Sequence, residues 1–227
     1  ETEMQYVTRR RFELKMITRS VPVFQVRTWI RIHSEAFAKA YPPRQVNNIY
    51  FDTLNLDSLN DHLNGLNNRH KLRCRWYGEH TSPNNFTIEL KEKSGMLGWK
   101  KIQKIEKPLR IQVMSWSETM RYLQKYTMGN FRELIAKSTP CLINNYKREY
   151  YVSADGDTRL TLDSKITSYN QIFSQIPNTR FPIMNSLDAV VVELKVADDN
   201  RQLSSILSGF PLQIERYSKY VDAMTID

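Results

Sequence analysis

Five segments of the chain alternate ionic and apolar residues with a period of two. Lys71, Arg73 and Arg75 interleave with Leu72, Cys74 and Trp76, and Glu89, Lys91 and Lys93 alternate with Ile88 and Leu90. Near the N-terminus Arg11, Glu13 and Lys15 oppose Phe12, Leu14 and Met16; later, Arg159, Thr161 and Asp163 oppose Leu160 and Leu162, and Glu193 and Lys195 oppose Val192, Leu194 and Val196. Side chains two apart share one face of a strand, so each segment reads as a strand with a charged face and an apolar back. An ordinary antiparallel sheet with one wet face gives alternation too. Two details point elsewhere. Wet faces mix in Thr, Ser, Gln and Asn, whereas these are nearly all ionic, and Glu-Leu-Lys recurs at 13–15, 89–91 and 193–195, each time inside an expected strand. If the sheet closes, the ionic faces line a lumen and helices cover the apolar backs.

The charge is localised. Of 227 residues, 33 are Lys or Arg and 24 Asp or Glu, a net +9, and residues 69–110 hold eleven of the cations and four of the anions. A concentrated patch implies a particular anionic partner: nucleic acid, phosphate or acidic lipid. Inside a cavity two cations 4 Å apart repel by about 4 kcal/mol at an effective dielectric near 20, so such a lumen requires a polyanion. Arg forks and Lys point charges suit phosphate oxygens better than a carboxylate substrate. A Glu that persists among phosphates does so by holding a divalent cation.

Composition closes off other classes. A hydrophobic content of 41% excludes disorder, and the strongest apolar run, Ala189 to Val192, is far too short for a membrane helix. Glu1 to Arg11 lack the apolar core of a secretory signal. Cys74 and Cys141 are too few for a disulfide scaffold or a thiolate metal site and point to a reducing, cytoplasmic location.

Periodicity and turn residues predict strands over 10–18, 45–53, 69–77, 86–93, 99–107, 142–152, 159–168 and 189–196. Helices are expected from Pro22 through Phe37, ended by Pro42 and Pro43, and over 56–63, 117–137, 200–208 and 216–224. This is an α+β pattern of about eight strands, expected to fold as a single domain over residues 1–227.

The ordered set of motifs Arg11-Phe12-Glu13-Leu14-Lys15, Asn48-Ile49-Tyr50-Phe51-Asp52-Thr53, Lys71 to Tyr77, Glu89-Leu90-Lys91, Tyr146-Lys147-Arg148, Arg159 to Asp163, Glu193-Leu194-Lys195 and Tyr217-Ser218-Lys219-Tyr220 resembles the VTC domain. That domain is the catalytic module of the eukaryotic vacuolar polyphosphate polymerase, in the triphosphate tunnel metalloenzyme superfamily. The resemblance implies a closed, antiparallel eight-stranded β-barrel with flanking helices. Its tunnel would grip a triphosphate or polyphosphate through Lys15, Arg73, Arg75, Lys91, Arg148, Arg159 and Lys219. Lys100 or Lys101 adds one tunnel lysine and Lys195 another, whereas Lys71 and Lys93 are assigned no secure place. Glu193 would hold the metal, Mn2+ or Mg2+.

Two departures stand out. Arg11 occupies the place where the hydrolytic, CYTH-like branch has the first Glu of Glu-x-Glu-x-Lys, which favours the polymerase-like branch. The chain as given also carries neither the regulatory SPX module nor the membrane helices of the eukaryotic protein, so a stand-alone bacterial-type version or an excised domain is expected.

The expected activity is phosphoryl transfer from ATP to a growing polyphosphate chain, with Arg73, Arg75, Lys91, Arg148, Arg159 and Glu193 catalytic. The attacking phosphate oxygen is already anionic and needs no general base, so His33, His62, His70 and His80 are expected at the surface or in loops. Expected partners are ATP and polyphosphate, without nucleic acid; any membrane partner would be a separate subunit. Three alternatives stay open: a triphosphatase using the same tunnel, a noncatalytic polyphosphate binder, and a nucleic-acid-binding sheet with Trp76, Tyr77 and Trp99 as stacking platforms.

Overall fold

The computed structural model describes residues 11–95, 97–183, 189–197 and 203–225. Their strands are β1 (Arg11–Thr18), β2 (Ala38–Asp52), β3 (Asn68–Tyr77), β4 (Phe86–Ser94), β5 (Leu97–Ile105), β6 (Thr139–Val152), β7 (Arg159–Asn170) and β8 (Val190–Ala197). They form one sheet in the order β1-β8-β7-β6-β2-β3-β4-β5, with every neighbouring pair antiparallel. In a flat sheet β1 and β4 would stand six strand spacings apart, roughly 29 Å. Instead Lys91 Nζ on β4 lies 3.2 Å from Glu13 Oε2 on β1, so the sheet is curled into a half-barrel.

The expected closed barrel is corrected. Edge strands β1 and β5 are not paired with each other among the described residues. The outer edge of β1 is occupied instead by the C-terminal segment: Met16 bridges to Ile214, and Glu215 N donates to Lys15 O at 2.9 Å. Backbone groups spent on that segment cannot complete a ladder to β5.

The apolar strand backs face outward and are covered by helices. Behind β2 to β5, helices α3 (Trp116–Tyr126) and α4 (Gly129–Ala136) bury Leu123, Phe131 and Ile135 against Leu72, Cys74, Trp76, Ile88 and Leu90. Behind β1, β7 and β8, α1 (Val23–Ile32) and α5 (Leu203–Ser208) bury Val26, Ile30 and Ile206 against Met16, Leu160, Leu162 and Leu194. Removing any of these Leu or Ile side chains to Ala would cost about 2–5 kcal/mol through lost burial and a residual cavity. The remaining helices, α2 (Asp57–Leu63) and α6 (Lys219–Met224), close one end of the half-barrel around Tyr50, Leu59, Leu142 and Tyr220.

Three expected boundaries change. The first helix ends at Ile32, and β2 begins at Ala38 and runs through Pro42 and Pro43. Prolines cannot donate to a ladder, and β2 absorbs them with register shifts between Lys39 and Tyr41 and between Tyr41 and Arg44. The helix expected over 117–137 is two: Ser115 and Glu118 form a capping box at the start of α3, and Gly129, at φ 53°, opens α4 in a conformation that favours glycine. Arg10 of the first expected strand and residues 200–202 of the helix before Ser208 lie outside the described residues.

Candidate functional site

Register decides which side chains meet on the concave face. Lys15 opposes Glu193 and Glu13 opposes Lys195 across β1 and β8; Thr161 opposes Glu193 across β7 and β8. Arg148 opposes Asp163, Asn48 opposes Arg75, Arg73 opposes Glu89, and Lys91 opposes both Lys71 and Lys100. Directly opposed residues share a face, so these side chains line one concave surface. Among the described residues, the cationic side chains of Lys15, Lys71, Arg73, Arg75, Lys91, Lys100, Arg148, Lys195 and Lys219 meet there with the carboxylates of Glu13, Glu89, Asp163 and Glu193.

Each carboxylate is engaged. Glu89 is 4% exposed and accepts from Arg73 Nε at 2.7 Å and Lys100 Nζ at 2.7 Å, with Arg75 Nη1 at 3.8 Å. Burial alone would raise its pKa, but Arg73, Arg75 and Lys100 overcome that and hold it far below the carboxylate range. Asp163, fully buried, accepts from Arg148 Nε and Nη2 at 2.6 and 2.7 Å and from Lys219 Nζ at 2.6 Å. Tyr146 lies beneath that pair, with Arg148 5.3 Å and Lys219 4.6 Å from its ring centre, while its hydroxyl accepts from Arg75 Nη2 at 3.2 Å. Arg75 Nε donates to Asn48 at 2.8 Å, fixing the guanidinium plane.

Glu13 and Glu193 are held less firmly. Glu193 meets Lys195 at 3.0 Å, and Glu13 meets Lys15 at 3.1 Å and Lys91 at 3.2 Å. Burial and the charge of Glu193 push the pKa of Glu13 up, though its lysines leave it lowered on balance. Glu193, against the cost of its burial, is held well below the usual carboxylate range by Lys195, Lys15 and Arg148. Beside it the buried hydroxyl of Thr161 has no hydrogen-bond partner among the described residues. Two adjoining carboxylates and an orphaned hydroxyl form an all-oxygen donor set, which fits a hard divalent cation completed by ligand oxygens. No group of three or more His, Cys, Asp or Glu with metal-binding geometry occurs among the described residues.

The lysines between these carboxylates outnumber their counter-ions. Burial, then Lys15, Lys91 and Arg73, pushes Lys71 well below the lysine range; its Nζ donates to Ser218 Oγ at 2.6 Å and has no carboxylate partner among the described residues. Burial, only partly offset by Glu89, lowers Lys100 to about 8. The C-terminal segment crosses this part of the surface: Lys15 donates to Tyr217 O at 3.3 Å, Ser218 caps α6, and Tyr220 stacks on Tyr50 and donates to Asp52 at 2.5 Å. Tyr217 to Tyr220 thus obstruct one end, and the face opens at the other, where Arg44, Arg159 and Lys195 lie.

Of the sequence-predicted residues, Lys15, Arg73, Arg75, Lys91, Lys100, Arg148, Glu193, Lys195 and Lys219 come together on this face. Arg159 belongs to the same face but sits exposed at the open rim, opposite Lys195. Lys101 is corrected: it alternates with Lys100, faces outward and pairs with Glu92 at 3.0 Å. Lys93 reaches the far end, opposite Arg69. The side chain of Arg11 lies outside those described. His33 lies in the loop after α1, as expected, but is not at the surface: it is buried between Phe37 and Phe210 and bonds Ile206 O at 2.8 Å. Glu89 and Asp163 were visible in the alternation but carried no assigned role. Arg44 had no sequence signal, because the prolines before it read as a helix end.

A family model described as the VTC domain matches residues 10–226. No curated protein sequence matches the chain. Among solved structures, a candidate adenylate cyclase from Bacillus halodurans shares 14% identity at a TM-score of 0.52, covering 88% of this chain and 87% of that one. A candidate adenylyl cyclase from Hippeastrum, described as having a dominant triphosphatase activity, shares 14% identity at a TM-score of 0.51, with 95% and 96% of the two chains covered. A candidate adenylate cyclase from Vibrio parahaemolyticus shares 12% identity at a TM-score of 0.51, with 95% and 98% covered. These likenesses are likenesses of fold.

Proposed function

The chain belongs to the VTC domain family, and on that premise we propose that its concave face binds the phosphates of ATP and transfers the terminal phosphoryl group to the end of a polyphosphate chain. The observation that carries this reading is the excess of Lys and Arg over carboxylate on one enclosed surface, with Lys71 left without a counter-ion among the described residues. A multiply charged phosphate chain supplies the missing negative charge.

The chemistry asks for positioning and charge neutralisation more than for covalent catalysis. Arg73, Arg75 and Arg148 are held by Glu89, Asn48 and Asp163, so their forks are fixed before a ligand arrives. Lys15, Lys71, Lys91 and Lys100 add point charge that follows the phosphates. A terminal oxygen of the acceptor chain bonds to the γ-phosphorus, the bond from that phosphorus to the bridging oxygen breaks, and ADP leaves. No side chain need remove a proton, because the attacking oxygen is anionic. The histidines serve elsewhere: His62 bonds Ser58 O, and His80 bonds Asn47. Glu193 and Glu13, with Thr161 beside them, are the residues that would hold Mn2+ or Mg2+, which when bound supplies further neutralisation of phosphate charge.

Two buried free cysteines support a reducing, cytoplasmic location. No helix among the described residues is long and apolar enough to cross a membrane. A triphosphatase, with water replacing the acceptor chain, is the second reading, favoured by the activity of the Hippeastrum relative. Incubating the full chain with ATP and Mn2+ and resolving the products separates the two: long chains support transfer, and orthophosphate alone supports hydrolysis.

A further inference from the structure

The open rim carries an aromatic cluster that phosphate binding does not use. Tyr77 lies two residues beyond Arg75 on β3 and Tyr150 two beyond Arg148 on β6, so each ring shares a face with an arginine and stands about 7 Å further along its strand. Between them on β2, the guanidinium of Arg44 sits 5.6 Å from the centre of the Tyr77 ring and 5.9 Å from that of Tyr150. Tyr41 meets Tyr150 edge-on at 5.9 Å. The two bulges around Pro42 and Pro43 bring Tyr41 opposite Tyr150 and Arg44 opposite Arg148.

This cluster is not packing. None of its members belongs to a hydrophobic core, Tyr77 is 48% and Tyr41 61% exposed, and Arg44 has no carboxylate partner among the described residues. Open tyrosine rings beside an arginine, at the end of a row of cations, suit a flat aromatic group attached to an anionic chain. The opposite end is obstructed by Tyr217 to Tyr220, so the part of a ligand that is not phosphate extends toward this rim.

We propose that Tyr77, Tyr150 and Arg44 form a stacking site for the base of a nucleoside triphosphate whose phosphates lie on the concave cations. The inference rests on the triphosphate reading of that face and adds to it a reason to choose a nucleotide over a bare phosphate chain. Stacking reads the π face of a base and not its edges, so all bases are accepted and the larger purines are held best.

Calorimetric titration of the full chain in EDTA tests this, using ATP and inorganic tripolyphosphate as paired probes. Tyr77 is half exposed at the end of its strand, so Tyr77→Ala is expected to fold, with circular dichroism as the check, and Tyr77→Phe keeps the ring. We expect Tyr77→Ala to weaken ATP about tenfold while changing tripolyphosphate less than about twofold, and Tyr77→Phe to bind both like the parent. Unchanged ATP affinity in Tyr77→Ala, with tripolyphosphate still bound, overturns the base site and leaves the phosphate cradle intact. Equal losses for both probes also overturn it, because the ring would then serve phosphate. If the parent binds ATP through Tyr77 but does not bind tripolyphosphate, the base site stands and the triphosphate cradle falls. Tighter Tyr77-dependent binding of single-stranded oligonucleotide than of ATP would replace a nucleotide site with a nucleic-acid one.

Discussion

Asp163 and Glu193 are buried carboxylates on neighbouring strands of the same concave face, yet their surroundings differ. Asp163 receives three charge-assisted bonds, from Arg148 and Lys219, and is sealed from solvent. Among the described residues Glu193 has one ion pair, to a Lys195 whose side chain is 40% exposed, with Glu13 close enough to repel it and an unpartnered Thr161 hydroxyl opposite. The first is a counter-ion that fixes cations in place. The second keeps oxygen lone pairs for something still to come. A charged cavity needs both kinds, because cations without fixed anions would repel one another and anions without spare capacity could not take a metal.

The comparison breaks most readily at Asp163. Asp163→Asn strands Arg148 and Lys219 without a counter-charge, and urea unfolding should show a loss of about 3–5 kcal/mol; a loss no larger than that of a surface substitution would remove its structural role. Glu193→Gln should cost less stability than Asp163→Asn but at least about 100-fold in metal-dependent turnover, while metal-free tripolyphosphate binding is kept or tightened because a negative charge has gone. Retained turnover would separate Glu193 from the metal.

A smaller effect is expected with pH. Lys100, lowered to about 8, is largely neutral above that value in the free protein. Phosphate oxygens favour its charged form, so binding takes up a proton and tripolyphosphate affinity falls as pH rises past 8, by up to about tenfold per unit. Lys100→Arg, which stays charged, should flatten the fall in that range. A flat affinity profile across that range would contradict the shift. Least of all should follow from Lys101→Ala, whose partly exposed pair with Glu92 lies off the concave face and should cost about 1 kcal/mol in an unfolding titration.

The strands and their two faces were legible because alternation follows from backbone geometry. Arg73 and Arg75 could be placed on the ionic face from sequence spacing alone, as could Cys74 on the apolar back, whereas Arg148 was reached only through the family motif Tyr146-Lys147-Arg148. Closure was not legible: it depends on whether β5 or the Ile214 segment takes the free edge of β1, and no local pattern encodes that competition. The choice between Lys100 and Lys101 needed the register of β4 against β5, which puts Lys100 opposite Lys91. Arg44 was hidden by Pro42 and Pro43, which end helices in most contexts and here are carried by bulges. Thr161 looked like one more strand hydroxyl until its lack of a partner was seen in three dimensions.

The central claim is that the cations of one face, and not the basic charge of the whole chain, hold the phosphates. Lys91 and Lys101 lie on adjacent strands and carry the same charge on opposite faces. Calorimetric titration with inorganic tripolyphosphate should show one saturable site per chain, weakened at least about tenfold by Lys91→Ala and left unchanged by Lys101→Ala. Equal losses in the two variants, or several weak sites per chain, would contradict the account and return the charge to the surface at large.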